Sequence, residues 1–280
     1  MKRKLIRRVV SAAACLLFCQ TAHAQVEFLA ASVGKGDALI VRVENYVCLI
    51  DTGKSEAEDQ LRRVFERCGI ERLDAVFITH TDKDHSGGMK WLRKSDIEIG
   101  AIYASRYHPE TSEKKHPAVK AAKKRGLEVN WLCAGDEVAL GDTGAVFRVL
   151  APTQEVQGNE DDNSLVMMLE SPDGRILFTG DMEEAEEELL LATGADLRCD
   201  VLKVPNHADS DACGPALIAA CMPKVAVIST DGGEKPGTPD KNVLKNLEKI
   251  GCVAYNTENC TFGVHVLLQE GRVTADYVSW

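Results

Sequence analysis

From Thr79 to Gly88 the sequence reads Thr-His-Thr-Asp-Lys-Asp-His-Ser-Gly-Gly, which places His80, Asp82, Asp84 and His85 within six residues. Imidazole nitrogens and carboxylate oxygens are the donors that divalent cations take from proteins. A polar turn capping a helix needs one such residue, Asp84 or Ser86, and leaves two histidines and two aspartates unexplained. The chemistry this points to is hydrolysis by metal-activated water. A cation held there would lower the pKa of its bound water from about 15.7 to about 7. Neither other route to a nucleophile is present: the chain has no G-x-S-x-G elbow, and no cysteine has a neighbouring base in sequence.

Such a cluster needs a rigid platform, and the flanking pattern supplies one. Asp74–Thr79 reads as a short apolar strand that runs directly into His80, and Gly87-Gly88 opens a helix through about Lys94. Upstream, strands are expected at Val26–Ala31, Ala38–Val43 and Tyr46–Ile50. A helix follows over Ser55–Cys68, with Leu61, Val64 and Phe65 apolar and Gly69 as its stop. Downstream, strands are expected at Ile99–Ala104, Leu127–Leu132, Glu137–Leu140, Ala145–Leu150, Leu165–Leu169, Arg175–Thr179, Cys199–Val204 and Val225–Ser229. Helices are expected near Pro117–Lys124, Glu183–Leu191, Pro215–Cys221 and Lys241–Ile250. Strands and helices mixed in this way imply an α/β fold of two sheets, each covered by helices on its outer face.

The start of the chain reads differently. Lys2, Arg3, Lys4, Arg7 and Arg8 precede an apolar run from Val9 to Phe18, and Ala22-His23-Ala24 has the small-x-small form of a cleavage site. Residues 1–24 are expected to be a secretory signal peptide, leaving one domain over 25–280 in the periplasm or outside the cell. Cleavage would remove five positive charges and no negative one, taking the net charge from −10 to −15. A field of that sign opposes long polyanions. One stretch runs against it: Arg106–Arg125 holds seven Lys/Arg against two Glu, as a solvated helix face or a phosphate-steering patch. Eight cysteines follow residue 24, none spaced C-x-x-C. Outside a reducing compartment they permit disulfides, with Cys213/Cys221 and Cys252/Cys260 the closest pairs in sequence; buried free thiols are the alternative.

The cluster resembles the H-x-[HD]-x-D-H motif of the metallo-β-lactamase superfamily. More narrowly, the chain from about Val26 to about Leu268 resembles the hydrolase-like domain of ComEC-type DNA-uptake competence proteins. Val33-Gly34-Lys35-Gly36-Asp37-Ala38 is similar to their V-G-Q-G-D-A, and Leu49–Gly53 to their I-D-T-G. Asp162–Val166 is similar to N-N-x-S-L-V, Phe178–Asp181 to L-T-G-D, and Val201–His207 to L-K-V-P-H-H. The resemblance implies a four-layer αββα sandwich and two divalent cations, Zn²⁺ or Mn²⁺. His80 and Asp82 would hold the first cation, Asp84, His85 and His207 the second, and Asp181 would bridge them, with Asp84 and Asp181 catalytic. Lys35, Asn163, Ser164 and Asn206 would contact substrate, and Asp51 and Asp74 could orient ligand histidines.

Three departures stand out. Asn206-His207 replaces a His-His pair, and Gly237-Thr238-Pro239 replaces Gly-His-Pro. No histidine lies between His116 and His207 to serve as the superfamily's middle ligand. The first site is therefore expected to be poor in nitrogen and weak, which favours Mn²⁺ or a mixed site over an all-histidine zinc site. The expected activity is hydrolysis of a phosphodiester, either a small molecule or a short nucleic acid. Ester, lactone or β-lactam hydrolysis, and ligand binding without turnover, are the alternatives. No transmembrane channel is expected, and no protein partner is identifiable from the sequence.

Overall fold

The computed structural model describes residues 25–280; the expected signal peptide lies outside them. Five strands and the helices between them build the first half: β1 (Val26–Ala31), β2 (Leu39–Val43), β3 (Tyr46–Ile50), α1 (Glu58–Cys68), β4 (Arg72–Ile78), α2 (Lys83–Ser86), α3 (Met89–Leu92) and β5 (Glu98–Ser105). The middle holds α4 (Pro117–Arg125), β6 (Val129–Leu132), β7 (Glu137–Ala139), β8 (Val146–Ala151), β9 (Val166–Ser171), β10 (Gly174–Phe178) and α5 (Glu184–Ala192). The last third runs through β11 (Val201–Lys203), α6 (Pro215–Cys221), β12 (Val225–Ile228), α7 (Lys241–Lys249), β13 (Val253–Asn256), β14 (Gly263–Gln269) and β15 (Arg272–Val278).

The strands form an eight-stranded sheet, β15-β14-β1-β2-β3-β4-β5-β6, and a seven-stranded sheet, β13-β12-β11-β10-β9-β8-β7. Three apolar layers hold the fold together. One lies between the sheets and includes Phe28, Phe77, Phe147 and Phe178. The second packs the first sheet against α1, α3 and α4, and the third packs the second sheet against α5, α6 and α7. The architecture is the αββα sandwich anticipated above. Its sequence logic is visible strand by strand: β1 (VEFLAA) and β12 (VAVI) are buried at every position, whereas the edge strand β15 alternates.

Local signals set the helix ends. In α1, Leu61, Val64, Phe65 and Cys68 face inward, and Gly69, at φ +61°, closes the helix in the left-handed conformation. Asp240 caps α7 by accepting from the Asn242 and Val243 amides. On α4, Ala118, Ala121 and Ala122 are buried while Lys120, Lys123 and Lys124 face solvent. Arg125 donates to the carbonyls of Leu92 and Ser95, so the basic stretch is a solvated face with one residue tying down α3.

In both sheets a parallel run places its loops at one edge. β3–β4–β5–β6 are parallel in the first sheet and β10–β11–β12–β13 in the second. Asp51 follows β3, His80 follows β4, Asp181 follows β10 and His207 follows β11. The carboxyl ends of parallel strands are where such folds bind ligands. Among the described residues no helix is long and apolar enough to cross a membrane.

Candidate metal centre

The motif segment differs locally from expectation. Its helix begins inside the cluster, with Lys83–Ser86 forming one turn before Gly87-Gly88 and α3. Close backbone approach explains the glycine pair: a Cβ on Gly88 would lie 2.2 Å from the Thr52 carbonyl oxygen. The Thr52 amide in turn donates to the His85 carbonyl, at 2.6 Å. The loop after β3 and the motif are thereby locked together.

Two groups of side chains converge at this edge. Ligand atoms of Asp84, His85, Asp181 and His207 all lie within 4.8 Å of one another. His85 Nε2 and His207 Nε2 are each 3.0 Å from Asp181 Oδ2 and 3.3 Å from each other, and Asp84 Oδ2 is 3.7 Å from His207 Nε2. The second group is His80, Asp82 and Asp161, with His80 Nε2 3.4 Å from Asp161 Oδ1. The rings of His80 and His85 are 4.2 Å apart, so the groups adjoin.

Hydrogen bonds turn the same nitrogen of each imidazole inward. His85 Nδ1–H donates to Asp51 Oδ2 at 2.8 Å, and His207 Nδ1–H to the Ser229 carbonyl at 2.5 Å. Thr79 Oγ1 spends its proton on Asp51 Oδ2 and is left to accept from His80 Nδ1–H at 3.0 Å. With Nδ1 so engaged, Nε2 is the ring nitrogen that each of the three imidazoles turns toward the carboxylates, and the one a cation would take. His80 Nε2 and Asp181 Oδ1 are buried without any hydrogen-bond partner. Such a donor set fits divalent cations, and the two orphaned atoms are what a ligand role would leave.

The electrostatics agree. Burial alone would depress His85; the carboxylates of Asp181 and Asp51 reverse this and hold it well above the ordinary imidazole value. Burial and the neighbouring His85 push His80 down to about 3. Burial, Asp181 and Asp82 push Asp161 up to about 8. Burial also works against the charge on Asp181, but His207 and His85 hold it well below the usual range. The pocket attracts positive charge wherever its carboxylates cluster.

Asp161 is the residue the sequence reading missed. It occupies the place opposite His80 where no histidine could be found. The signal was the acidic run Glu160-Asp161-Asp162, read only from Asp162 onward. Lys203 was also unassigned. It is fully buried, pairs with Asp37 Oδ2 at 2.7 Å and donates to the Val204 carbonyl, beneath His85.

The remaining expected residues fall into distinct positions. Asp51 sits behind His85, as anticipated. Asp74 does not orient a histidine: it accepts from the Val47 amide and Arg72 Nε, between β3 and β4. Asn163 does not face open space; its amide donates to the Val156 and Asn159 carbonyls and accepts from the Val156 amide, stapling its own loop. Ser164 Oγ accepts from the Asp181 amide at 3.1 Å and lies 3.3 Å from His80 Nδ1. Lys35 Nζ is 2.6 Å from Asp84 Oδ2, at the open side of the second group. Asn206 Nδ2 donates to Glu183 Oε1 at 2.8 Å. Asn206, His207 and Ala208 have φ of +41°, +55° and +62°. Three consecutive left-handed residues are strained, and that strain turns the His207 ring toward Asp181. Thr238, in place of a histidine, pairs with Thr230 Oγ1 at 2.8 Å.

Comparison with known proteins decides the family. The model of the metallo-beta-lactamase superfamily matches residues 31–232. The chain belongs to this superfamily. Within it, the chain is 27% identical over 274 residues to ComE operon protein 3 of Bacillus subtilis, covering 89% of this chain and 34% of that protein. It is 28% identical to competence protein ComA of Neisseria gonorrhoeae, covering 80% of this chain and 30% of that protein. The chain thus spans about a third of the length of these curated relatives. Among solved structures, CmlA, a diiron β-hydroxylase from Streptomyces venezuelae, superposes with a TM-score of 0.55 at 12% identity, over 83% of this chain and 52% of that one. At that identity the likeness concerns the fold.

Proposed function

We propose that this metallo-β-lactamase superfamily member is an exported hydrolase of small phosphodiesters or short oligonucleotides. The observation that carries the reading is the pair of adjoining donor groups, His80/Asp82/Asp161 and Asp84/His85/His207, with Asp181 between them. Bound divalent cations would supply Lewis acidity and a nucleophilic water at neutral pH. The chain's own groups do the rest. Asp181, lying among the donor groups, would help hold the attacking water and relay its proton. The Lys35 ammonium, beside Asp84, meets the negative charge that develops on the phosphoryl oxygens. The resemblance to competence proteins supports the phosphodiester class, and the acidic balance favours short substrates over long ones. Export rests on the charged start, apolar run and Ala22-His23-Ala24. Gln25 should be the first residue of protein recovered from the native host.

The test is metal analysis of wild-type protein and Asp181→Ala, with a panel of phosphodiester, lactone and β-lactam substrates in Mn²⁺ and in Zn²⁺. Loss of metal together with phosphodiester hydrolysis is expected in the variant. Tight metal binding by wild-type protein with no turnover of any substrate would leave a binder without catalysis. Turnover of the lactone or β-lactam alone would replace the substrate class. No metal uptake under any reconstitution would remove the reading.

A further inference from the structure

We propose that Cys199 and Cys221 form a disulfide that closes the segment carrying His207. The segment they bound holds β11, the left-handed turn at 206–208 and α6, of which Cys221 is the last residue. The Cys199 amide donates to the Cys221 carbonyl at 3.0 Å. That hydrogen bond sets the two backbones side by side, and both residues are free thiols in the structure, so the bond would form between neighbours that still carry their protons. Both side chains lie buried in the apolar layer between the second sheet and α5–α7. The pairing is neither of the two closest in sequence, Cys213/Cys221 and Cys252/Cys260. Cys213 is buried elsewhere in the same layer, within electrostatic reach of Cys252.

The chemistry requires only a low-molecular-weight disulfide as oxidant, which an oxidising compartment supplies. The Cys199 thiolate attacks one sulfur of glutathione disulfide, and glutathione thiolate leaves. The Cys221 thiol loses its proton and attacks Cys199 Sγ of the mixed disulfide, releasing the second glutathione. Two cysteine thiols are oxidised, one external disulfide is reduced to two thiols, and the two protons pass to the released thiolates. In the folded protein the Cys221 thiol beside it, and burial, push Cys199 well above the usual thiol range. A thiol so placed is a poor nucleophile, so the bond forms most readily before this layer closes.

The bond would close a loop of about 20 residues and restrict the unfolded chain. That loop contains the strained turn, so the bond also opposes relaxation of the turn by local opening. The proposal rests on the export reading but not on metal or turnover, because its readouts are covalent and thermal.

The full chain is refolded in reduced and oxidised glutathione at about pH 8 and mapped by mass spectrometry of unreduced peptides. Parallel samples carry Cys199→Ser, Cys221→Ser, Cys213→Ala and Cys68→Ser. The expected result is one linkage joining Cys199 to Cys221, retained in Cys213→Ala and Cys68→Ser and absent from the other two. Reduction of the wild-type bond should lower the melting midpoint by about 5–10 °C and speed proteolysis within 204–214. Should either serine variant fail to fold, the wild-type map and the two retained variants decide. A linkage of Cys199 to Cys252, or full alkylation of Cys199 and Cys221 without prior reduction, would overturn the proposal.

Discussion

Asp161 Oδ1 lies 3.4 Å from His80 Nε2, an imidazole nitrogen that has no hydrogen-bond partner. That contact completes a group of donors whose third member is Asp82. It also brings Asp161 under the repulsion of Asp181 and Asp82, which adds to burial in raising its carboxyl to about 8.

Asp161→Asn should therefore separate two properties. An amide is a far weaker ligand than a carboxylate, so metal content should fall from about two cations per chain toward about one. The metal-free protein should respond in the opposite direction. A carboxyl raised from 3.8 to about 8 in the folded state stabilises the fold fully only below 3.8, and that contribution is lost as pH rises through 8. Replacing it with a neutral amide should raise the melting temperature of chelator-treated protein at pH 8 and change it little at pH 4. If metal content is unchanged, Asp161 has no ligand role.

Asp51→Asn should test the group behind His85. Asp51 Oδ2 accepts from His85 Nδ1 at 2.8 Å, and Oδ1 accepts from the Thr79 amide at 2.8 Å. An asparagine can turn its NH₂ toward Nδ1, which would place the imidazole proton on Nε2 and point it into the site. Metal affinity should fall about 10–100-fold while the far-ultraviolet spectrum is retained. Titration with a chromophoric chelator measures it. An unchanged affinity would mean that His85 is oriented by packing alone.

How far the site could be read from sequence follows from how each residue acts. His80, Asp82, Asp84 and His85 are contiguous, so their convergence needed only the short loop after β4. The layers were legible because apolar periodicity is a local property: β12 is uniformly apolar, β1 is so but for Glu27, and α1 repeats at helical spacing. Asp161 was not legible, because an aspartate in an acidic loop has no local mark of a ligand until β4 and β9 bring it against His80. The same holds for Asn163 and Asp74. Their residue types suit both a site and a turn, and only tertiary contacts show them stapling backbone. Cys199 and Cys221 are far apart in sequence and adjacent through β11 and α6, which spacing alone cannot reveal.

Glu186 offers a test that leaves the metal site untouched. It is buried on α5, its Oε2 has no partner, and burial together with Asp162 raises it well above 4.5. In the unfolded chain it ionises near 4.5, so the folded state holds an extra proton above that pH. Its contribution is favourable below 4.5 and is lost progressively as pH rises. Wild-type melting temperature should decline between pH 5 and pH 8, and Glu186→Gln should reduce that decline by about 2–5 °C. Parallel curves for the two proteins would show that Glu186 does not titrate as inferred.

Lys35 supplies the sharpest test of the proposed chemistry, because its two effects have opposite signs. Its ammonium sits 2.6 Å from Asp84 Oδ2, where it competes with a cation for that carboxylate. Burial lowers its pKa, but Asp84 outweighs burial and raises it, so the side chain is charged at neutral pH. Removing a competing positive charge should favour metal at Asp84, His85 and His207, so Lys35→Ala should bind the second cation about as tightly as wild type or tighter. The same charge, beside Asp84, is the one proposed to meet the phosphoryl oxygens, and its loss should lower kcat for a phosphodiester about 100-fold or more. Lys35→Arg keeps the charge and should recover part of the rate. Metal affinity by calorimetry and kcat from initial rates give the two readouts independently. A parallel fall in both for Lys35→Ala would mean that Lys35 holds Asp84 in place and has no part in meeting the substrate.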